Sequence, residues 1–139
     1  MTEATAQEPR YVYKIVSSST PPPAPLPELL PVSELDQSSG FVHLSTAKQV
    51  PNTLQLFFNQ DAEVYLLRLE YSKIHEQTKW EYPEGGQIGA ERVFPHLYNG
   101  NELGAIEVES VVHCKRGNDA VWSDVLVRLT DRNGRPWLV

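Results

Sequence analysis

The sequence predicts an α+β domain built around an antiparallel or mixed β-core, with few helices. Three observations carry this. The chain is 139 residues long, one domain's worth. Segments of β-branched, aromatic and alternating character recur through it, whereas only one stretch has a sustained helical pattern. Finally, 40% of the residues are hydrophobic and 22% charged, the balance of a soluble globular protein and not of a disordered one.

Residues 1–9 are small and polar and are expected to form a flexible N-terminus; residues 10–139 are expected to make the globular domain. Tyr11-Val-Tyr-Lys-Ile-Val16 reads as a first strand. Seven residues from Pro21 to Pro27 follow, five of them proline. Each proline removes a donor and restrains its neighbour, so residues 20–32 read as a stiff surface loop. A partner that recognises proline-rich segments is the other reading of this loop. Gly40-Phe-Val-His-Leu-Ser45 reads as a second strand, with Phe41, His43 and Ser45 on one face and Val42 and Leu44 on the other. Thr46 and Gln49 have the spacing of a capping box. They predict a helix reaching Phe58, with Val50, Leu54, Phe57 and Phe58 buried and Pro51 in its first turn.

The apolar run from Glu63 to Glu70 predicts a central strand. Residues 79–82 read as a short strand, the Gly-rich stretch 83–89 as a loop able to act as a lid, and residues 93–98 as a return to order. Residues 104–113 alternate, which predicts a strand with Ile106 and Val108 inward and Glu107 and Glu109 outward. Residues 121–129 read as a last strand, with a helical turn before it.

The net charge of −6 and the absence of a basic run argue against a nucleic acid as partner, because phosphate neutralisation needs clustered Lys and Arg. A pocket for one small phosphate stays open. Cys114 is the single cysteine, so no intramolecular disulfide can form and a reducing compartment is expected. No leader-like segment or membrane-length apolar run is present; a cytoplasmic protein with no membrane partner is the expectation.

Three clusters carry residue types capable of chemistry. His43, Ser45 and Thr46 lie where a strand feeds a helix, whose N-terminal N–H groups suit an anion. The alternative is a core histidine with Ser45 or Thr46 acting only as caps. His96 and Tyr98, in Phe94-Pro-His-Leu-Tyr98, follow the Gly-rich stretch; the alternative is an edge strand with a satisfied histidine. Glu81 could bond a ribose hydroxyl or act as a base, and Trp80 could stack on a planar ring. Otherwise Trp80 is core and Glu81 solvated. His43, Glu81, His96 and His113 are zinc-ligand types, but their spacing fits no compact motif, and no metal site is expected. There is no Gly-x-Ser-x-Gly and no dinucleotide fingerprint.

Taken in order, Gly40-Phe-Val-His-Leu-Ser-Thr46, Gln49-Val50, Thr53, Phe57-Phe58, Lys79-Trp-Glu81 and Phe94-Pro-His-Leu-Tyr98 resemble the domain-of-unknown-function 952 family. Tyr13-Lys-Ile15 is similar to that family's first strand. The family is grouped with ADP-ribosyltransferase-like folds, and its His-Leu-Ser-Thr block is similar to one in NAD-dependent RNA 2′-phosphotransferases. The resemblance implies a split antiparallel β-core with a cleft for NAD or a related small nucleotide. It further implies His43, His96 and Glu81 as catalytic residues. His43, Leu44, Ser45, Thr46, Trp80, His96 and Tyr98 would contact the cofactor, with the His43 and His96 segments forming facing walls. Where several transferases of this superfamily have a first-strand histidine, this chain has Lys14. Three readings therefore stand: an NAD-dependent ADP-ribosyl or 2′-phosphate transferase, a non-catalytic nucleotide or metabolite binding module, and an interaction protein using its proline-rich loop.

Overall fold

The computed structural model describes residues 8–81, 93–117 and 121–139. The Gly-rich stretch 83–89 and most of the N-terminal nine residues lie outside these. The architecture is α+β, and among the described residues every strand pairs antiparallel. One three-stranded sheet has the order β1 (Tyr11–Ser17), β3 (Glu63–Glu70), β6 (Val108–Lys115). A second has the order β2 (Val42–His43), β5 (Phe94–Leu97), β4 (Thr78–Glu81). The two are stitched where Tyr13 and Ser45 exchange backbone hydrogen bonds of 2.8 Å each.

The central strand β3 is largely apolar between its glutamate ends, Arg68 excepted, because both of its faces are buried. Val64 and Leu66 enter a first core with Tyr13, Leu54 and Trp122, while Leu67 and Leu69 enter a second core with Val12, Val42 and Leu97. The first core lies between one face of the larger sheet and helices α2 (Val50–Phe57) and α3 (Trp122–Leu126). The second lies between the other face and the smaller sheet. Fully burying each such leucine or valine contributes about 1.5–3 kcal/mol.

Thr46 and Gln49 make the reciprocal bonds of a capping box: the Thr46 N–H donates to Gln49 Oε1 (2.9 Å) and the Gln49 N–H to Thr46 Oγ1 (3.3 Å). Pro51 sits in the first turn, where its missing donor costs no helical bond. Val50, Leu54 and Phe58 follow an i, i+4, i+8 stripe inward. Phe57 falls off that stripe and is 74% exposed, contrary to expectation.

Three other expectations are corrected. Residues 121–129 are not a strand. The odd-numbered apolar residues mimic alternation, but the buried set is Trp122 and Leu126 with Val125 and Leu129 packed beside them, a helical spacing, and Val127 is exposed. Residues 104–107 form a turn rather than the start of β6; Gly104 O accepts from the Glu107 and Val108 N–H groups, which leaves Ile106 exposed. The second strand is shorter than expected, holding only Val42–His43 before the bridge at Ser45.

Residues 20–32 contain no helix or strand, and they are packed onto the domain. Leu26 and Leu30 lie against the second core. The Leu30 N–H donates to Leu103 O (2.7 Å), and the Ala105 N–H to Pro27 O (2.9 Å). This close approach requires Gly104: a Cβ there would stand 1.8 Å from Glu28 O. Gly104→Ala is therefore expected to lift the loop and cost about 1–3 kcal/mol, as overpacking does. Urea unfolding checks this, and an unchanged midpoint would refute it.

A short helix that the sequence did not suggest follows, α1 (Glu34–Ser39). Ser33 caps it by accepting from the Asp36 N–H (3.1 Å), and Gly40 ends it at φ 83°, the left-handed conformation that glycine adopts without penalty. This helix delivers Asp36 to the split between β1 and β2.

Candidate functional site

In the smaller sheet, His43 of β2 is directly opposite His96 of β5, and His96 is directly opposite Lys79 of β4. Residues directly opposite one another share a sheet face. Alternation therefore gathers Phe41, His43, His96, Tyr98, Lys79 and Glu81 on one face, while Val42, Leu97 and Trp80 turn to the second core. The imidazole centroids of His43 and His96 are 5.3 Å apart. The Phe41 ring lies 4.2 Å from His96, 4.5 Å from His43 and 5.0 Å from Tyr98, centroid to centroid.

Each histidine is anchored through Nδ1 to a carboxylate. His43 Nδ1 lies 2.7 Å from Asp36 Oδ1, which also accepts the His43 backbone N–H at 3.1 Å. His96 Nδ1 lies 2.9 Å from Glu81 Oε1, which also accepts the Tyr98 hydroxyl at 2.7 Å. An ionised carboxylate only accepts, so Nδ1 is the donor in both pairs. That fixes the tautomer: in the neutral rings Nε2 carries the lone pair.

The two carboxylates differ in surroundings. Asp36 is 2% exposed and takes a second bond from Lys14 Nζ at 2.7 Å. Burial alone would raise its pKa, but His43 and Lys14 outweigh it and hold Asp36 below the usual aspartate value. Glu81 is more open and is held low by Tyr98 first and His96 second. The Tyr98 hydroxyl is pushed up to about 12, because ionising it would place a phenolate against Glu81. Burial is the largest influence on His96 and lowers its pKa despite the opposing bond to Glu81. The His96 ring is thus biased towards its neutral form. Lys79 Nζ sits 4.7 Å from the Tyr98 ring centroid.

The sequence pointed to His43, His96, Glu81 and Tyr98, and these four are gathered. The His43 and His96 segments are neighbouring strands of one face rather than facing walls. The Trp80 indole lies on the other face and donates to the Tyr71 hydroxyl (3.0 Å). Leu44 is buried in the second core, Ser45 is buried at the Tyr13 bridge, and Thr46 exchanges bonds with Gln49 in the turn that leads into α2. Arg68, a scattered cation in the sequence, binds Glu109 and Trp137 O and stands over the rings of Tyr11 and Trp137. Cys114 is buried in the first core, which pushes its thiol up to about 12. Among the described residues there is no cluster of three or more metal-ligand types. No helix among them is long and apolar enough to cross a membrane.

Sequence reasoning missed Asp36 as a site residue and gave no role to Phe41 or Lys14. The signal for Asp36 was present in Ser33-x-x-Asp36 closed by Gly40, a six-residue helix with both of its caps.

Fold and site together define an α+β domain that carries two carboxylate-anchored histidines on one partly open sheet face. Residues 26–114 match the family described as Protein of unknown function (DUF952), and the chain belongs to that family. The matched span contains every residue of the face and Asp36, leaving out only Lys14. The chain is also similar to protein CC0527 from Caulobacter crescentus. Its crystal structure is 29% identical with a TM-score of 0.61, over 80% of this chain and 91% of that one. Its solution NMR structure gives 26% identity and a TM-score of 0.56, over 93% of each chain. No curated protein matches the sequence.

Proposed function

We propose that the His43–His96 face is the nucleotide site of an ADP-ribosyltransferase-like enzyme, one that transfers an ADP-ribosyl group from NAD or removes a 2′-phosphate with NAD as co-substrate. The observation that carries the reading is the pair of histidines whose Nδ1 atoms are fixed by Asp36 and Glu81, leaving both Nε2 atoms to meet a ligand. The surrounding residues fit such a ligand. Lys79, whose Nζ stands 4.7 Å from the Tyr98 ring centroid, supplies positive charge for a pyrophosphate, and Phe41 supplies an aromatic surface for a planar base. NAD contributes a ribosyl bond to a good leaving group. In this reading His43 orients a ribose hydroxyl and Glu81 stabilises positive charge developing on the ribose; positioning and electrostatics carry the rate.

The test is calorimetric and thermal-shift titration with NAD, ADP-ribose and nucleoside phosphates, on the native chain and on His43→Ala and His96→Ala. Ligand at a hundred times its Kd should add about 2.7 kcal/mol of stability to the native chain only. No shift at millimolar ligand sinks the reading. Release of nicotinamide then separates an enzyme from a binding module.

A non-catalytic nucleotide-binding module is the second reading. It is favoured by Lys14, whose ammonium is committed to Asp36 at the position where several related transferases have a histidine. Binding without nicotinamide release selects it. Capture of a partner by residues 20–32 has less to draw on, since Leu26 and Leu30 are turned into the domain; Leu29 and Val32 are the residues it would present.

A further inference from the structure

We infer that His43 and His96 act as an acid–base pair that hydrolyses a nucleoside cyclic phosphodiester, with water as the only co-reactant. The inference rests on reading this face as a nucleotide site, but not on NAD.

Departure of nicotinamide from a ribose needs little proton transfer, so one orienting histidine would suffice there. This chain instead carries two imidazoles 5.3 Å apart, each with its own carboxylate on Nδ1. Fixing Nδ1 as a donor on both rings dedicates both Nε2 atoms to taking or giving protons. Two such groups side by side suit a reaction in which one proton leaves the nucleophile and another reaches the leaving oxygen. Hydrolysis of a phosphodiester is that reaction.

In the proposed step a water oxygen attacks phosphorus and forms the new P–O bond. His96 Nε2, in the neutral ring, takes the water proton. The bond from phosphorus to one ribose oxygen breaks, and the His43 Nε2–H protonates that oxygen. The product is an open phosphomonoester, and a proton returning from His96 to His43 through solvent resets the pair. The roles follow from surroundings: His96 is the more buried ring, with a side chain 15% exposed, and favours the neutral form. His43 is the more open ring, 31% exposed, and takes the donor role with its Nδ1 bonded to the buried Asp36 carboxylate. Lys79, on the same face, supplies charge for one phosphate. The class of substrate follows from charge. A net charge of −6 disfavours a polymer with many phosphates, whereas a mononucleotide carries one.

The groups facing the pair are Asp36 of α1, Lys14 of β1, Glu81 and Lys79 of β4, and Tyr98 just after β5. Asp36 and Glu81 are held below the ordinary carboxylate range and Tyr98 is pushed up to about 12, so none of these three changes protonation near neutrality.

The experiment incubates the full chain with 2′,3′-cyclic AMP and with 3′,5′-cyclic AMP, following product by phosphorus NMR from pH 5 to 9. His43→Gln and His96→Gln are prepared identically, with His43→Ala and His96→Ala as second choices where a glutamine variant fails to fold. Thermal midpoints and ADP-ribose titrations accompany every protein. Expected are a bell-shaped kcat/KM and a loss of about 10²–10⁴-fold in each variant. The His96 variant should lose the acid limb and the His43 variant the alkaline limb. Hydrolysis that survives in both variants overturns the inference. No hydrolysis by a chain that binds ADP-ribose overturns it while sparing the nucleotide reading. Hydrolysis by a chain that binds neither NAD nor ADP-ribose upholds it and sinks the transferase. Neither hydrolysis nor binding sinks both.

Discussion

Asp36→Ala is expected to lower the stability of this domain by about 3–5 kcal/mol, the usual cost of removing one partner from a buried ion pair. For a chain of this size that is a fall in melting temperature of roughly 10–15 °C. The carboxylate is almost fully buried and receives three bonds: the His43 N–H, the His43 ring and the Lys14 ammonium. Alanine leaves all three donors unmatched, and Lys14, largely buried, loses its counter-charge. Asp36→Asn keeps an acceptor but not the charge, so a smaller loss is expected.

The native protein should also show a pH signature that both variants lack. The Asp36 pKa is lowered by folding from a reference of 3.8. A group of this sign contributes stability that is full above its unfolded pKa. The contribution disappears as pH falls through the lower, folded value. Acid unfolding below about pH 4 should therefore be shallower in Asp36→Asn than in the native chain. Melting curves from pH 2 to 7 check this, and parallel curves for the two proteins would contradict it.

How far the site could be read from the sequence depended on the range of each interaction. The chemical segments were legible because their information is local: Gly40-Phe-Val-His alternates, Thr46 and Gln49 bond one another, and Glu63–Glu70 carries apolar residues on both faces. The pairing of His43 with His96 was not legible. Fifty-three positions separate them, and only the register of β2 on β5 brings them together. A shift of one residue would have turned either histidine into the second core. Trp80 shows the same limit from the other side. Its neighbour Glu81 reached the site, and strand alternation carried Trp80 away from it. Asp36 was hidden by its setting, one of two acidic residues in a largely polar run of chain. Its burial arises from Lys14 and His43, which come from two other elements. Residues 121–129 misled because valines and leucines at odd positions match a period of two, while tryptophan and leucine at the buried positions match a helix; only packing on α2 decides between them.

Glu81→Gln is expected to have the largest effect on the chemistry of the face with the least effect on its stability. One oxygen, Glu81 Oε1, accepts from both His96 Nδ1 and the Tyr98 hydroxyl. Because Glu81 is more open than Asp36, solvent can replace much of what the fold loses, and the cost should stay near or below about 1 kcal/mol. The titration behaviour should change more. Tyr98 is pushed up to about 12 chiefly by its bond to Glu81, and removing the charge should return it towards its reference of 10.0. Ultraviolet titration of the tyrosines would report this as one extra ionisation near the ordinary range. His96 should move down as well. The bond to Glu81 raises its pKa against the dominant effect of burial, so the variant should hold its proton even less well. NMR titration of the His96 ring gives the direction, and an upward shift would contradict the argument. Glutamine can present Nδ1 with an amide oxygen or an amide N–H, so the tautomer is no longer fixed by charge. If His96 works as a base, turnover should then fall by about 10²-fold or more while ligand still binds. A fall in binding with turnover per bound ligand unchanged would make Glu81 a ligand contact instead of the positioning residue for His96.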